Sequence, residues 1–275
     1  MLNSFLARVA AATLLVGVAL AAGGYWSAVS TPTIRRADVL LPGLRGAPLK
    51  LLLVSDIHVA GPDMPPERLA RIVDQINALK PDLVLIAGDL VGDKAVGTRT
   101  YTADEIVAPL AGLKARLGVL AVLGNHDHWR NAAAMRRALA RARVRVLDNS
   151  AVRAGPLAVG GVDDAFTDHD DLPATLRRMR AIGGVPILLS HSPDPFADVP
   201  AWVRLTAAGH THCGQISLPL IGPLSTMSRY GDRYACGLMA EHGKTLVVGA
   251  GVGTSVLPIR IGAPPDMWLI QVRGR

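Results

Sequence analysis

The pattern that most constrains this chain is a short, largely apolar run followed at once by small and metal-binding residues, repeated five times. Residues 49–55 run into Asp56-Ile57-His58, 82–87 into Gly88-Asp89, and 118–123 into Gly124-Asn125-His126-Asp127. Further along, 185–190 leads to His191, and 203–208 to Gly209-His210-Thr211-His212. An apolar run this short has no polar face, so it fits a strand covered on both sides. Between the runs lies helical spacing, with Leu69, Ile72, Val73 and Ile76 on one face of 65–79 and further helices expected over 103–116, 131–143 and 172–182. Shorter strands are expected at 145–147, 157–160, 234–240, 245–248 and 267–272. Alternation of this kind predicts a single α/β domain, a sheet sandwich with mixed strands, whose functional loops sit at strand C-terminal ends.

Half of the residues are hydrophobic, which supplies a sizeable core and excludes a disordered chain. The net charge of +7 favours anionic partners: phosphorylated substrates, acidic lipid surfaces or nucleic acid. Most of the cations are arginines, and those at 136, 137, 141 and 143 and at 177, 178 and 180 read equally as solvated helix faces or as headgroup contacts. Two cysteines, Cys213 and Cys236, are too few for a disulfide framework or a thiolate zinc site, and one bridge is open to an exported domain.

No charge occurs from Val9 to Ile34. Eighteen residues from Val9 to Trp26 would span about 27 Å as a helix, enough for a bilayer core, with Tyr25 and Trp26 at the interface. Residues 1–29 therefore read as a single-pass anchor in the cell membrane, the alternative being a signal segment cleaved near Ala19-Leu20-Ala21 and an exported domain. Arginines flank both ends of the segment, so they leave its orientation open. Residues 30–47, with two prolines and two glycines, read as a linker to a domain over 48–275.

Five of the eight histidines fall in the strand-end blocks. Carboxylates, imidazoles and one amide suit Mn²⁺, Fe, Zn²⁺ or Mg²⁺, and seven or more donors are too many for one tetrahedral ion, so they fit two ions sharing a carboxylate. In an extended segment, residues i and i+2 point the same way, which would let Asp56 with His58, and His210 with His212, face one cavity. Taken in order, the blocks D-x-H, G-D, G-N-H-D, H and G-H-x-H resemble the calcineurin-like metallophosphoesterases. The segments Gly209-His210-Thr211-His212-Cys213-Gly214-Gln215 and 251–260 are similar to its membrane-linked YaeI/YkuE-like branch, with Cys213 where that branch usually has Gly.

The resemblance covers about residues 48–275. It implies a calcineurin-like β-sandwich of two mixed sheets flanked by helices, following the apolar N-terminal helix. It also implies a dinuclear site, manganese first among the candidate metals, with Asp56, His58 and His212 on one ion, Asn125, His191 and His210 on the other, and Asp89 between them. His126 would then be the catalytic histidine beside the phosphate, oriented by Asp127. His128 is placed within reach of substrate, and His169 and His242 on the surface. The implied reaction is hydrolysis of a phosphodiester or pyrophosphate in a phosphorylated small molecule or a membrane-associated lipid-linked substrate, such as UDP-2,3-diacylglucosamine in lipid A synthesis. A general phosphodiesterase or nuclease, a protein phosphatase and a non-catalytic metal-binding scaffold are the alternatives. No basic-aromatic interleaving is present, so no stable nucleic-acid partner is expected.

Overall fold

The computed structural model describes residues 2–274, with side chains from Phe5 onward. Two six-stranded mixed sheets pack face to face. The first has, in spatial order, β1 (Thr33–Leu40), β14 (Asp266–Arg273), β2 (Leu49–Val54), β3 (Leu83–Ala87), β4 (Val119–Val122) and β5 (Val144–Val146). The second has β12 (Gly237–Glu241), β13 (Lys244–Val248), β9 (Leu205–Ala208), β8 (Val185–Leu189), β7 (Leu157–Gly161) and β6 (Ser150–Ala154).

Strand pleating divides each apolar run between two cores. Leu51, Leu53, Leu83 and Leu85 meet Leu157, Val159, Ile187 and Leu205 between the sheets. Leu52, Val54, Val84 and Ile86 point the other way, onto α2 (Pro66–Ala78), α3 (Ala103–Val107) and α4 (Asn125–Arg141). Helix α5 (Leu172–Ile182) covers the outer face of the second sheet through Met179 against Leu188. Double coverage explains why these strands are apolar without alternation.

Several expectations need correction. The segment 30–47 is not a linker: it contains β1, paired in parallel with β14 and burying Ala37 and Val39. Arg36 and Asp38 lie on the exposed side of an edge strand, and Arg35, in line with Ala37, pairs with the buried Asp266; both mask the pattern. The helix expected over 103–116 stops at Val107 and continues as a 3₁₀ turn, Ala108–Gly112, because Pro109 lacks the donor an α-helix needs. Helix α4 starts six residues earlier than expected and kinks at Asn131, whose Oδ1 accepts from Ala134 N–H (2.9 Å) and caps the second segment. The edge strand β6 and a small hairpin, β10 (Ser217–Leu218) with β11 (Gly222–Pro223), were not anticipated.

The apolar helix α1 (Leu2–Val29) has one stretch, Phe5–Val29, long and apolar enough to cross a membrane, and its middle packs on nothing. Among its described residues, the last turns touch the domain. Gly24 C=O accepts from Arg260 N–H (2.9 Å), Ala28 is fully buried, and the Arg68 guanidinium donates to Ser30 C=O (2.9 Å). Thr33 then pairs with Asp266 at the start of β14, which runs antiparallel to β2. The chain therefore enters the sheet at the end where β2 delivers Asp56.

Candidate metal centre

The C-terminal ends of β2, β3, β4, β8 and β9 converge at one edge of the sandwich and bring all seven expected donors together. Donor atoms of Asp56, His58 and His212 lie within 4.8 Å of one another, as do those of Asp56, Asp89 and His191. The backbone achieves this by turning sharply. Asp56, His58, Asp89, His210 and His212 all have φ between +47° and +72°. Such angles are costly for non-glycine residues and cluster at functional sites. Asp56 and His58 thus share one side of the centre through left-handed turns and not through the extended alternation expected. Close approach also requires Gly209, where a Cβ would stand 2.5 Å from Asp56 Oδ2.

Hydrogen bonds at the outer ring nitrogens fix which lone pairs face inward. His58 Nδ1–H donates to Val91 C=O (3.0 Å), His191 Nδ1–H to Ala87 C=O (2.7 Å), and His210 Nε2–H to Met227 C=O (3.3 Å). The inner nitrogens His191 Nε2 and His210 Nδ1 then face each other at 3.1 Å as lone pairs, and Asn125 Oδ1, also an acceptor, lies 3.1 Å from His191 Nε2. With both imidazoles neutral, no arrangement of protons satisfies these contacts. A proton on His191 Nε2 does, and so does a metal cation in its place, for which carbonyl-pinned imidazoles are the usual support. His212 differs: its Nδ1 faces the Arg260 guanidinium at 3.2 Å, while its Nε2 meets His58 Nε2 at 3.0 Å. Asp89 Oδ2 stands 3.5 Å from His58 Nε2 and 3.4 Å from His191 Nε2, between the two groups, where a bridging carboxylate belongs.

Burial pushes His58 down to about 3, His210 down to about 4, and His212 well below the ordinary imidazole range. All three are neutral at neutral pH, the form that binds metal. His191 goes the other way: burial opposes its charge, but Asp89 and Asp56 raise it well above its ordinary value. Burial likewise opposes the charge of Asp89, yet His191 holds that carboxyl well below the usual range.

Asp127 does not orient His126. Its Oδ1 accepts from Leu90 N–H (3.0 Å) and Val91 N–H (3.1 Å), and its Oδ2 from Gly124 N–H (3.1 Å). The side chain clamps the loop after β3 to the N-terminus of α4. His126 is held instead by its backbone, whose N–H donates to Asp89 Oδ1 (2.9 Å). Its Nδ1 is buried without a protein partner, and its Nε2 lies 3.4 Å from Ser255 Oγ. His128 turns away from the site, bonding Asp163 (2.8 Å) and stacking on His169 at 4.1 Å, so its expected reach to substrate is also corrected.

Above the cluster opens a cavity of about 360 Å³. One wall is aromatic: Trp129 packs edge-on against His126 at 4.9 Å and Phe166 against His210 at 4.8 Å. The other is aliphatic, from Ile216, Leu224, Met227, Val256 and Leu257. Sequence reasoning missed these lining residues; Trp129, three positions after His126 on one helical turn, carried the only readable signal. Gln215 fastens the aliphatic wall, donating to Ser255 and Leu257 C=O and accepting from Ser255 N–H. A disulfide, Cys213–Cys236, closes the loop that carries part of that wall.

The profile of the calcineurin-like phosphoesterases matches residues 49–218, which hold the five strands and all seven donors, and the chain belongs to that family. It is a phosphoester hydrolase, and its Asp/His cluster fits a dinuclear divalent metal site. Among curated relatives, it is 31% identical to the uncharacterized metallophosphoesterase YkuE of Bacillus subtilis, the alignment covering 94% of this chain and 93% of that one. It is 30% identical to a zebrafish (Danio rerio) transmembrane protein with metallophosphoesterase domain, covering 94% of this chain and 62% of that protein. Among solved structures, a 5'-nucleotidase precursor of Thermus thermophilus aligns with a TM-score of 0.47 at 15% identity, covering 82% of this chain and 55% of that one.

Proposed function

We propose that this protein is a membrane-anchored hydrolase of phosphodiester or pyrophosphate bonds in lipid-linked substrates, working through two divalent ions, manganese first among them. The observation that carries the reading is an apolar-walled cavity set directly over a cluster of inward-facing acceptors. When bound, the ions would supply Lewis acidity toward phosphate oxygens and a hydroxide near neutral pH. Asp56, His58 and His212 would hold one ion, Asn125, His191 and His210 the other, and Asp89 both.

His126 would hold a proton at Nε2 for the leaving oxygen, a reading supported by its backbone bond to Asp89, which keeps the ring beside the donor cluster. Trp129 and Phe166 line one side of the approach to the centre, and the aliphatic wall would orient an acyl or alkyl chain away from the charge. Helix α1 is the anchor. The disulfide supports a domain on the oxidising side of that membrane.

The test is an assay of the detergent-solubilised full chain, stripped and reloaded with Mn²⁺, against bis-p-nitrophenyl phosphate, p-nitrophenyl phosphate, a phosphopeptide and UDP-2,3-diacylglucosamine, the particular lipid that the resemblance suggests. Turnover of the diester and of a lipid substrate is expected. Preference for phosphopeptide would overturn the reading in favour of a protein phosphatase, and no turnover of any of the four in favour of a scaffold.

A further inference from the structure

Outside α1, many of the exposed large apolar side chains gather around the mouth of the catalytic cavity. The β10–β11 hairpin carries Leu220 and Ile221 at its tip, 109% and 70% exposed, and Leu224 and Met227 follow at 60% and 57%. Val256, 53% exposed, lies across the mouth with Leu257. Scattered surface hydrophobics are ordinary, but a contiguous group rimming a cavity marks an interaction surface. The Cys213–Cys236 bridge closes the loop that bears the hairpin, which limits the freedom of that rim.

What covers the rim is indicated by its neighbour. Ile216 bridges to Ile261, and Ile259 and Arg260 are the residues on which α1 docks at Gly24. Leu257 is three residues from Arg260, so the rim lies within about 11 Å of chain from the contact at Gly24, in the last turns of the apolar helix. Tyr25 and the exposed Trp26, the pair suited to a membrane interface, are at that same end. Thr33 then enters the sheet at the catalytic edge, not the opposite one.

We infer that the rim is a second bilayer contact: the β10–β11 hairpin and residues 256–257 enter the leaflet in which the C-terminal end of α1 lies, and the cavity opens onto the membrane surface. An amphiphile in that leaflet would present its phosphoester to the donor cluster while its chains stay in lipid. This rests on α1 being a membrane anchor and extends that reading to the orientation of the site.

The experiment uses the full chain reconstituted in phosphatidylcholine vesicles, with tryptophan introduced in turn at two exposed positions, Leu220→Trp and Lys114→Trp. Lys114 precedes β4, at the opposite end of the sandwich. With acyl-chain-brominated lipid, the fluorescence added at 220 should fall by about half or more, as for a side chain inside the acyl boundary, and that added at 114 should not change. Equal emission from position 220 in brominated and plain vesicles would overturn the inference whatever the substrate proves to be. As a second reading, Leu220→Glu with Ile221→Glu should leave turnover of bis-p-nitrophenyl phosphate unchanged. The same pair should slow hydrolysis of a vesicle-held long-chain alkyl p-nitrophenyl phosphate about tenfold, through lost effective concentration at the mouth. Unchanged hydrolysis of the vesicle-held ester would count against the contact, whereas failure to cleave that ester at all, with quenching intact, would overturn only the lipid-substrate reading.

Discussion

The two ends of the sandwich share one core and differ in nearly everything else. At the N-terminal ends of β2 and β4, turns close with ordinary partners: Asp82 accepts from Lys50 N–H (2.8 Å) and from Arg116 (2.6 Å), and Asn77 ties Gly112 to Lys114. Positive φ there occurs just past helix ends, at Lys80 after α2 and Arg143 after α4, where a left-handed residue terminates a helix. At the catalytic end the same backbone conformation falls on Asp56, His58, Asp89, His210 and His212, and acceptors face acceptors. Left-handed turns on metal-binding side chains and acceptors crowded around His191 thus occur together at the catalytic end, where a cation would resolve the contacts.

Changes at the catalytic end should separate chemistry from support. Asp89→Ala is expected to abolish metal retention and turnover together, because it removes the carboxylate between the two donor groups. His126→Ala should keep metal by elemental analysis while losing turnover by about 10²–10⁴-fold, the usual worth of a positioned acid. Full activity in either variant would contradict the assignment of roles.

Asp127→Asn should act as a packing change. Its three amide bonds are compromised, so a loss of about 1–3 kcal/mol in unfolding free energy is expected, with metal retained. Loss of turnover without loss of stability would instead restore the direct role first expected for it. Reduction of the bridge between Cys213 and Cys236, 23 residues apart, should cost up to about 3.5 kcal/mol, read as a lower melting temperature in dithiothreitol.

Metal affinity should rise with pH. His58, His210 and His212 are already neutral, so the protons to be displaced sit on His191, whose pKa is raised, and on Asp56, which burial pushes up to about 6; acid therefore competes with the ion. Chelator competition at pH 6 and pH 8 checks this, and equal affinity at both would contradict it. The smallest effect lies away from the centre. Its bond to Asp163 raises the pKa of His128, so that pair stabilises the fold fully below the ordinary imidazole value, and the contribution disappears as pH climbs through the raised one. The melting-temperature gap between the native chain and His128→Asn should therefore shrink from pH 6 to pH 9.

Much of this contrast was legible in the residues. Short apolar runs reveal doubly covered strands, and the polar residues after each run mark where the strands end. β1 and β6 were missed because edge strands keep one row of polar side chains and so lose the apolar signal. Asp127 was misplaced for a different reason: adjacency in sequence to His126 suggested contact, whereas at the first turn of α4 its side chain turns back to the backbone amides. The cavity walls come from α4 and from loops after β7, β9 and β13, and no local pattern brings Trp129, Phe166, Leu224 and Val256 together.

The claim on which the rest depends is that the seven converging donors make one two-ion centre. Metal-stripped full chain titrated with Mn²⁺, with turnover of bis-p-nitrophenyl phosphate followed at each step, tests it most directly. Activity should rise to a plateau at two equivalents per chain; a plateau at one, or full activity with none, would contradict it.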